Sequence, residues 1–357
     1  MTVDLGFAEK CEPWRLESRF FPSKIGGKPA WLDLKNIPGE KDLHCEYCKE
    51  PCIFLCQIYA PCEDSDDAFH RTIFVFVCKK SECCRTNKNG NLKVFRSQLP
   101  KINEFYPAEP PVEQSDWRTD INVNQWVKTC YICGILAPNH CSKCKNINYC
   151  CRAHQIYHWK NGHKETCNVN KELPVHSATA NNKFLFPEHE IVIEREEVRN
   201  DDDSNDLNRE EEEMKKYEEM IQKNEAGTLQ NEDIQNELLN VANQVEDETF
   251  SKFQSTIDEY PDQIIRYNKG QQILYISAET KVNKIPKCAE CNGERQFEFQ
   301  IMPQLLNFLN LEDPIKCIDW GILVVFTCTK SCTPKNGYSV EYVWKQDIIE
   351  NNSATAS

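Results

Sequence analysis

Apolar residues in this chain gather in short runs rather than in long helical stripes. IFLCQIY (53–59) and TIFVFV (72–77) are brief, β-branched and aromatic, and LKVFRSQLP (92–100) follows the turn-like NKNGN. They make residues 1–120 a β unit, after which Pro100, Pro107, Pro110 and Pro111 mark a linker. Residues 261–350 return to the same character. There QQILYIS, RQFEFQI, GILVVFT and YSVEYVW read as four strands, and MPQLLNFLNL (302–311) as a short helix between two of them. Between the two units, LFPEHEIVIE (185–194) is patterned as one edge strand, and MKKYEEMIQK and EDIQNELLNVANQV have helical spacing. EREEVRNDDDSNDLNREEEE is acidic and nearly free of apolar residues, the composition of a solvated, disordered segment. Residues 169–260 are therefore expected to be an acidic connector, partly helical and partly disordered, and the final NNSATAS a frayed tail.

The two β units repeat one order. HCEYC, a strand ending VFVCKKSEC, an NG turn and LKVF in the first match KCAEC, a strand ending VFTCTKSC, KNG and YSVEYVW in the second. The fold expected is mainly β (α+β overall): two related units with zinc-ribbon-like knuckles, and a Cys/His block and the acidic connector between them. Whether the two units pack as one domain is not legible from the pattern.

Composition narrows the class. The 357 residues include 21 cysteines, an odd number, many of them paired as C-x2-C. The start, MTVDLGFAEKCEPWRLESRF, lacks a basic stretch followed by an apolar one, so no secretory leader is expected. No run of eighteen apolar residues occurs, so no membrane span is expected. Zinc in a reducing compartment thus outweighs a disulfide scaffold. The net charge of -14 argues against nonspecific binding to a phosphate backbone and favours a basic protein partner.

Residues 126–168 hold the densest chemistry. Ligand types come in four pairs: Cys130 and Cys133, Cys141 and Cys144, Cys150 and His154, His163 and Cys167. Eight ligands make two closed tetrahedral sites, with no position left for water. A block of this size buries too little surface to fold alone, and metal binding supplies the missing free energy. Cys151 reads as a small packing residue and His158 as a surface histidine. With six Lys/Arg, one Glu and a charge of -1 on each Cys3His zinc site, the block sits near +3.

The pattern C-x2-C-x7-C-x2-C-x4-YC-x3-H-Q-x3-W-x3-HK-x2-C resembles the MYND zinc finger. In that family the pairs alternate, which implies one zinc on Cys130, Cys133, Cys150 and His154 and another on Cys141, Cys144, His163 and Cys167. His154 departs from the usual cysteine, and imidazole serves equally well. The resemblance also implies a face for proline-containing peptides, with Gln155 and Trp159 as candidates. Outside the finger, Cys288, Cys291, Cys328 and Cys332 form a candidate third site. Cys45, Cys48, Cys78 and Cys83 form a fourth, crowded by Cys52, Cys56 and Cys84. The cofactor is therefore Zn2+, two in the finger and up to two in the flanking units. Cys11, Cys62 and Cys317 have no evident partner and default to burial.

Nearly the whole chain resembles the programmed cell death protein 2 family. LGFAE, PWRL, FPSKIGGKPAWL, QIYAP, DAFHRTIFVF and VFRSQLP carry the likeness early. FPEHEIVIE, FEFQIMPQLLNFL, DWGILVVFTC and SVEYVWKQ carry it later. The resemblance implies a non-enzymatic, dedicated chaperone of one basic small-subunit ribosomal protein (the homologue of bacterial S-five) that supports 40S assembly. An acidic stretch at 188–219 and the FPSKIGGKPAWL loop are candidate client contacts, against an inert linker for the first and a plain structural loop, the favoured reading, for the second. The competing reading is a nuclear adaptor that recruits transcriptional corepressors through proline-containing peptides. An enzyme is disfavoured: NHC at 139–141 faintly suggests a SET methyltransferase motif, but Cys141 is better used on zinc. GxGxxG, P-loop, HExxH and GxSxG motifs are also missing. A monomer in the cytoplasm and nucleus is expected, without membrane or specific nucleic-acid binding.

Overall fold

The computed structural model describes residues 3–167, 182–196, 248–311 and 318–348. The helices expected at 214–223 and 232–245, most of the acidic stretch, Cys317 and the tail lie outside the described residues. Ten strands form the body: β1 (Asp4–Glu9), β2 (Lys24–Ile25), β3 (Ile53–Tyr59), β4 (His70–Val77), β5 (Leu92–Leu99), β8 (His189–Arg195), β9 (Ile265–Tyr267), β10 (Arg295–Ile301), β11 (Ile322–Cys328) and β12 (Tyr338–Gln346). They close into one barrel in the order β1-β8-β2-β3-β4-β5-β12-β11-β10-β9. The inserted block holds β6 (Asn139–His140), β7 (Asn148–Tyr149), α1 (Arg152–His158) and α2 (Lys164–Thr166), and α3 (Glu248–Asp258) precedes β9.

The two β units are thus halves of a single sheet, β2–β5 and β9–β12, and they repeat in detail. In each, the second strand bulges at the same place, between Phe54 and Cys56 against β4 and between Phe297 and Phe299 against β11. Next to each bulge a buried glutamine stands in for a strand partner. Gln57 accepts from the Ala30 N–H (2.9 Å) and donates to the Ala30 carbonyl (3.3 Å). Gln300 does the same with Leu274, at 2.9 and 3.1 Å. This corrects the strand expected at QQILYIS. Leu274 spends its backbone pair on Gln300, and the Ile276 N–H goes to Gln346, so no ladder forms there. The strand of that region is β9, upstream.

Two further expectations are corrected and one is borne out. LFPEHEIVIE is no edge strand: β8 pairs with β1 on one side and β2 on the other. MPQLLNFLNL does form the expected short helix between two strands, of 3-10 type over Pro303–Phe308. The proline-rich stretch after β5 is no free linker. Phe105, Tyr106 and Ile121 are buried, and the Tyr106 hydroxyl donates to the carbonyls of Trp31 and Leu32 at 3.0 Å. Arg19, itself buried, holds the Ser115 and Trp117 carbonyls of the same stretch.

Residues 73–77 of β4 and 322–326 of β11 are apolar at every position because both faces are covered. Ile73, Val75 and Val77 of β4 and Leu323 and Val325 of β11 fill one core cluster. Phe74 and Phe76 point the other way, to Trp31, Tyr338 and the inserted block. Ile322, Val324 and Phe326 pack under Phe253 of α3. Two charged pairs with fully buried side chains join the halves: Arg96 of β5 with Glu341 of β12 (2.7 Å), and Arg71 of β4 with Glu298 of β10, which make two hydrogen bonds, one of 2.6 Å. Thr327 and Tyr267 complete the carboxylate's partners. Burial alone would raise the pKa of Glu298, but the Arg71 guanidinium outweighs it and brings it down to about 2.

Glu298→Ala strands a buried guanidinium and is expected to cost about 3–5 kcal/mol in denaturant unfolding. The double variant Arg71→Met/Glu298→Leu is expected to recover most of that loss, because no unpaired charge remains. His70 supplies a pH dependence. Its ring stacks on Phe21 at 4.3 Å and Nδ1 meets the Tyr59 hydroxyl at 2.9 Å. Burial, with Lys101 nearby, pushes its pKa down to about 4. The folded protein therefore resists protonation, so the contribution is full above the ordinary histidine pKa of 6.5 and fades as pH falls towards 4. His70→Gln is expected to flatten the stability profile across that window, by at most about 3 kcal/mol.

Candidate metal centres and the finger surface

Each C-x2-C pair sits on the same tight turn. The N–H of the residue after the second cysteine donates back to the carbonyl of the first: Lys49 to Cys45 (3.0 Å), Gly134 to Cys130, Lys145 to Cys141 and Asn292 to Cys288 (each 2.9 Å). All four of these donors have positive φ, between 55° and 76°. Glycine takes that conformation without strain, and asparagine more readily than most residues. Lysine pays a conformational cost there, and the closure of the knuckle over a metal offsets it.

The structure gathers four groups of ligands, with the ligand atoms of each within 4.8 Å of one another. They are Cys45, Cys48, Cys78 and Cys83; Cys130, Cys133, Cys150 and His154; Cys141, Cys144, His163 and Cys167; and Cys288, Cys291, Cys328 and Cys332. Sulfur–sulfur separations of 3.6 Å (Cys133–Cys150, Cys288–Cys332, Cys291–Cys328) and 3.7 Å (Cys48–Cys78, Cys141–Cys167) recur in all four. A disulfide needs about 2.05 Å, whereas a tetrahedron with Zn–S bonds of about 2.3 Å has edges of about 3.8 Å. The donor sets, three thiols and an imidazole or four thiols, suit Zn2+ at up to four sites. Each set is complete, and such closed sites are structural.

Local folding explains how the finger presents its ligands. Cys150 ends β7's turn and His154 lies one turn on in α1, its Nδ1 3.1 Å from the Cys150 sulfur and 3.4 Å from Cys130. The helix then breaks at Asn161 and Gly162, the glycine at φ 122°, which re-aims the chain so that His163 Nε2 meets Cys144 at 3.6 Å. The group containing His154 is continuous with the barrel. Trp31 Nε1 donates to the Gly134 carbonyl (2.8 Å), the Leu136 N–H to Pro38 (3.2 Å), and Phe184 sets its ring against His154 at 4.3 Å. Lys28 lies 5.3 Å over the Tyr131 ring, where burial lowers its pKa and the Cys130 and Cys133 thiols pull it back up. The group containing His163 belongs to a small outlying cluster with Tyr149 and Trp159.

His158 is corrected from a surface position to a buried one. It stacks on Tyr131 at 4.0 Å and its Nδ1 meets the Tyr149 hydroxyl at 2.9 Å. It is thus the packing wedge between the two ligand groups. Burial pushes its pKa down to about 4. Gln155 and Trp159 lie half-buried at i and i+4 of the helix, beside the exposed Arg152 and Ile156 and away from buried His154 and His158. That face is open to solvent.

The crowding around the first group resolves cleanly. Cys83 joins it and Cys84 does not: the Cys84 sulfur lies against Asp319 and the Lys345 ammonium (3.3 Å). Cys52 donates to the Asn91 carbonyl, and Cys56 is fully buried with the Ile73 and Val75 cluster, which pushes its thiol pKa up. Cys151 caps α1 half-buried, outside both finger groups. Cys11 sits near Glu190, and Cys62 lies 3.9 Å from Lys269 Nζ. Of the FPSKIGGKPAWL loop, Trp31 is buried, and a Cβ on Gly26 would fall 2.0 Å from the Pro187 carbonyl oxygen, so this loop is architectural. Sequence reasoning missed the positive-φ residue closing each knuckle. Gly134 was the one signal for it.

A β-barrel of two related halves, with a finger of two zinc-type ligand groups inserted between them, defines a zinc-finger protein. Comparison with known proteins gives it a family. Residues 2–113 match the N-terminal domain of Programmed cell death protein 2, residues 247–347 its C-terminal putative domain, and residues 130–167 the MYND finger. Programmed cell death protein 2 of Mus musculus is 42% identical over 98% of this chain and 97% of its own length. The chain belongs to the programmed cell death protein 2 family. Programmed cell death protein 2-like of Homo sapiens is 26% identical over 88% of this chain and 86% of its own. A Schizosaccharomyces pombe protein named Probable 20S rRNA accumulation protein 4 is 31% identical over 28% of each chain. No solved structure matches at a significant level.

Metal analysis of the purified chain is expected to return close to four zinc per molecule. Cys83→Ser is expected to lower the count by one and Cys84→Ser to leave it unchanged. Retention of zinc by the Cys83 variant would exclude that group as a site.

Proposed function

We propose that this protein is a non-enzymatic, dedicated chaperone that binds one basic ribosomal protein of the small subunit, the homologue of bacterial S-five, and supports 40S assembly. The observation that carries this reading is the likeness to a protein named for 20S rRNA accumulation, which points towards ribosome production. Charge supports it. Residues 197–247 hold 17 Asp/Glu and 5 Lys/Arg, a net of -12 out of the chain's -14. A free ribosomal protein is basic in order to bind RNA, and a locally concentrated acidic segment shields such a surface without RNA. The closed donor sets leave zinc an architectural part, with no coordination position for a substrate. On this reading the protein works in cytoplasm and nucleus, as a monomer, without membrane or direct nucleic-acid contacts.

The open face of α1 keeps a second reading alive. Gln155 and Trp159 there suit a proline-containing peptide, and corepressor recruitment would use the same face. A tagged full-length protein recovered from RNase-treated cytosol separates the two. The expected result is one basic small-subunit ribosomal protein near equimolar, without the rest of the subunit. Corepressor subunits with no enriched ribosomal protein would overturn the chaperone reading in favour of the adaptor.

A further inference from the structure

The two flanking metal groups lie on opposite halves of the barrel, yet each is gripped by the last strand of the other half. The halves meet at β5 and β12, where only four residue pairs join the strands, from Tyr338–Ser97 to Glu341–Val94. β4 and β5 within one half share eight. Side chains supply what this short seam lacks, and they end at the cysteine knuckles.

From β5, Gln98 donates to the Ser331 carbonyl at 2.9 Å, inside the turn between Cys328 and Cys332. Arg96 bonds Gln98 and Glu341 (2.7 Å), and its second nitrogen lies 3.8 Å from the Cys332 sulfur. Glu341 in turn accepts from the Cys328 N–H at 3.3 Å and from Arg295 at 2.8 Å. Arg295 reaches the Pro286 and Lys287 carbonyls, just ahead of Cys288. The second metal group is therefore tied at both of its knuckles, and one tie crosses the seam.

From β12 the reach is reversed. Lys345 places its ammonium 3.3 Å from the sulfur of Cys84, the neighbour of ligand Cys83. Asp347, just beyond the strand, accepts from the Asn87 N–H at 2.6 Å, and Asn87 returns a bond to the Asp347 N–H at 2.8 Å. Asn89 donates to the Val343 carbonyl. Val94 and Glu341 face each other in the seam, and Gln98 and Lys345 each lie four residues further along their strands. The two crossings thus occupy matching places in the duplicated halves.

We infer that these crossings are reciprocal latches, with Gln98, Arg96 and Lys345 as positioning residues that couple the two flanking zinc sites through the β5–β12 seam. A bound metal fixes the knuckle, a fixed knuckle offers the opposite strand its partners, and the seam closes. Loss of either metal frees one latch and loosens the seam on which the other depends. Thiolate sulfur is negative when it holds zinc, so the Arg96 cation beside the Cys332 sulfur acts in the direction that retains metal, whereas Lys345 acts by holding Cys84, the neighbour of ligand Cys83, in place.

The test uses the full-length, zinc-loaded chain. Zinc loss to a chelator is followed by native mass spectrometry, and differential thiol alkylation assigns each loss to its cysteines. Gln98→Ala removes one latch without stranding a charge, and Lys345→Met removes the other. Gln98→Ala is expected to speed loss from Cys288, Cys291, Cys328 and Cys332 about tenfold, the usual effect of an outer-shell partner. Coupling should also speed loss from Cys45, Cys48, Cys78 and Cys83 by about fivefold. Lys345→Met should show the reverse order, and the finger should hold its metals at the wild-type rate in both. Ile191→Ala, a core truncation on β8 at the far side of the barrel from the seam, serves as the control for general destabilisation. Acceleration confined to the group each variant touches would overturn the coupling. So would a finger that loosens in step with the other groups, as it would in the control.

Discussion

A sheet with apolar side chains on both faces cannot stop at an open edge, and this constraint organises the molecule. Each half alone would present unpaired backbone along two edges and an uncovered face. Closing the halves on each other, with β1 and β8 filling the gap between β2 and β9, removes every edge of the large sheet. It also encloses the Arg71–Glu298 pair, whose members come from different halves. That pair is stabilising only while both partners are present and dry, so it penalises any arrangement in which the halves part. Duplication, closure and the buried ion pair are one solution to a single problem.

The outer faces are covered by different means. Over the first half, the Trp31 loop, the stretch after β5 and the finger share one core with Phe74, Phe76 and Tyr338. Over the second, α3 and residues 273–285 cover Phe297, Val324 and Phe326. The finger is therefore not an appendage. Its Cys130, Cys133 and Cys150 are core residues of the whole, and the metal that organises them also organises a wall of the barrel. The outlying group with Cys141 and Cys167 carries no such load, and the open face of α1 lies near it.

The finger's eight ligands were legible because ligand chemistry demands fixed residue types at short spacings. So were the two flanking groups, as far as their knuckles go. What pattern could not choose was between neighbours such as Cys83 and Cys84, since the answer depends on a strand, β12, more than 250 residues away. The strands buried on both faces were visible as apolar runs. β1, β2 and β9 were not, being short or only half-apolar, and pairing alone makes them strands. QQILYIS misled for the opposite reason. Its apolar spacing is that of a strand, but a glutamine side chain takes its backbone bonds, and composition does not register such a substitution. His158 misled because a histidine beside a tryptophan on a short helix has no sequence mark of being wedged between two metal groups.

Charge is distributed in a way that separates architecture from attraction. With residues 197–247 set aside, the remaining chain is nearly neutral at -2, and its principal ion pairs are spent internally, on Glu298, Glu341 and Glu188. A body of that kind exerts little long-range field, so on the proposed chaperone reading the charge that attracts a basic client is that of residues 197–247. That segment enters from Glu196 and returns at Glu248, both anchored by strand β8 or helix α3 rather than by the finger. The modestly basic finger and the acidic residues 197–247 thus carry charge of opposite sign in separate stretches of the sequence. Concentrating the negative charge in one stretch of sequence spares the barrel strands the like-charge repulsion by which a uniformly acidic barrel would weaken its own closure.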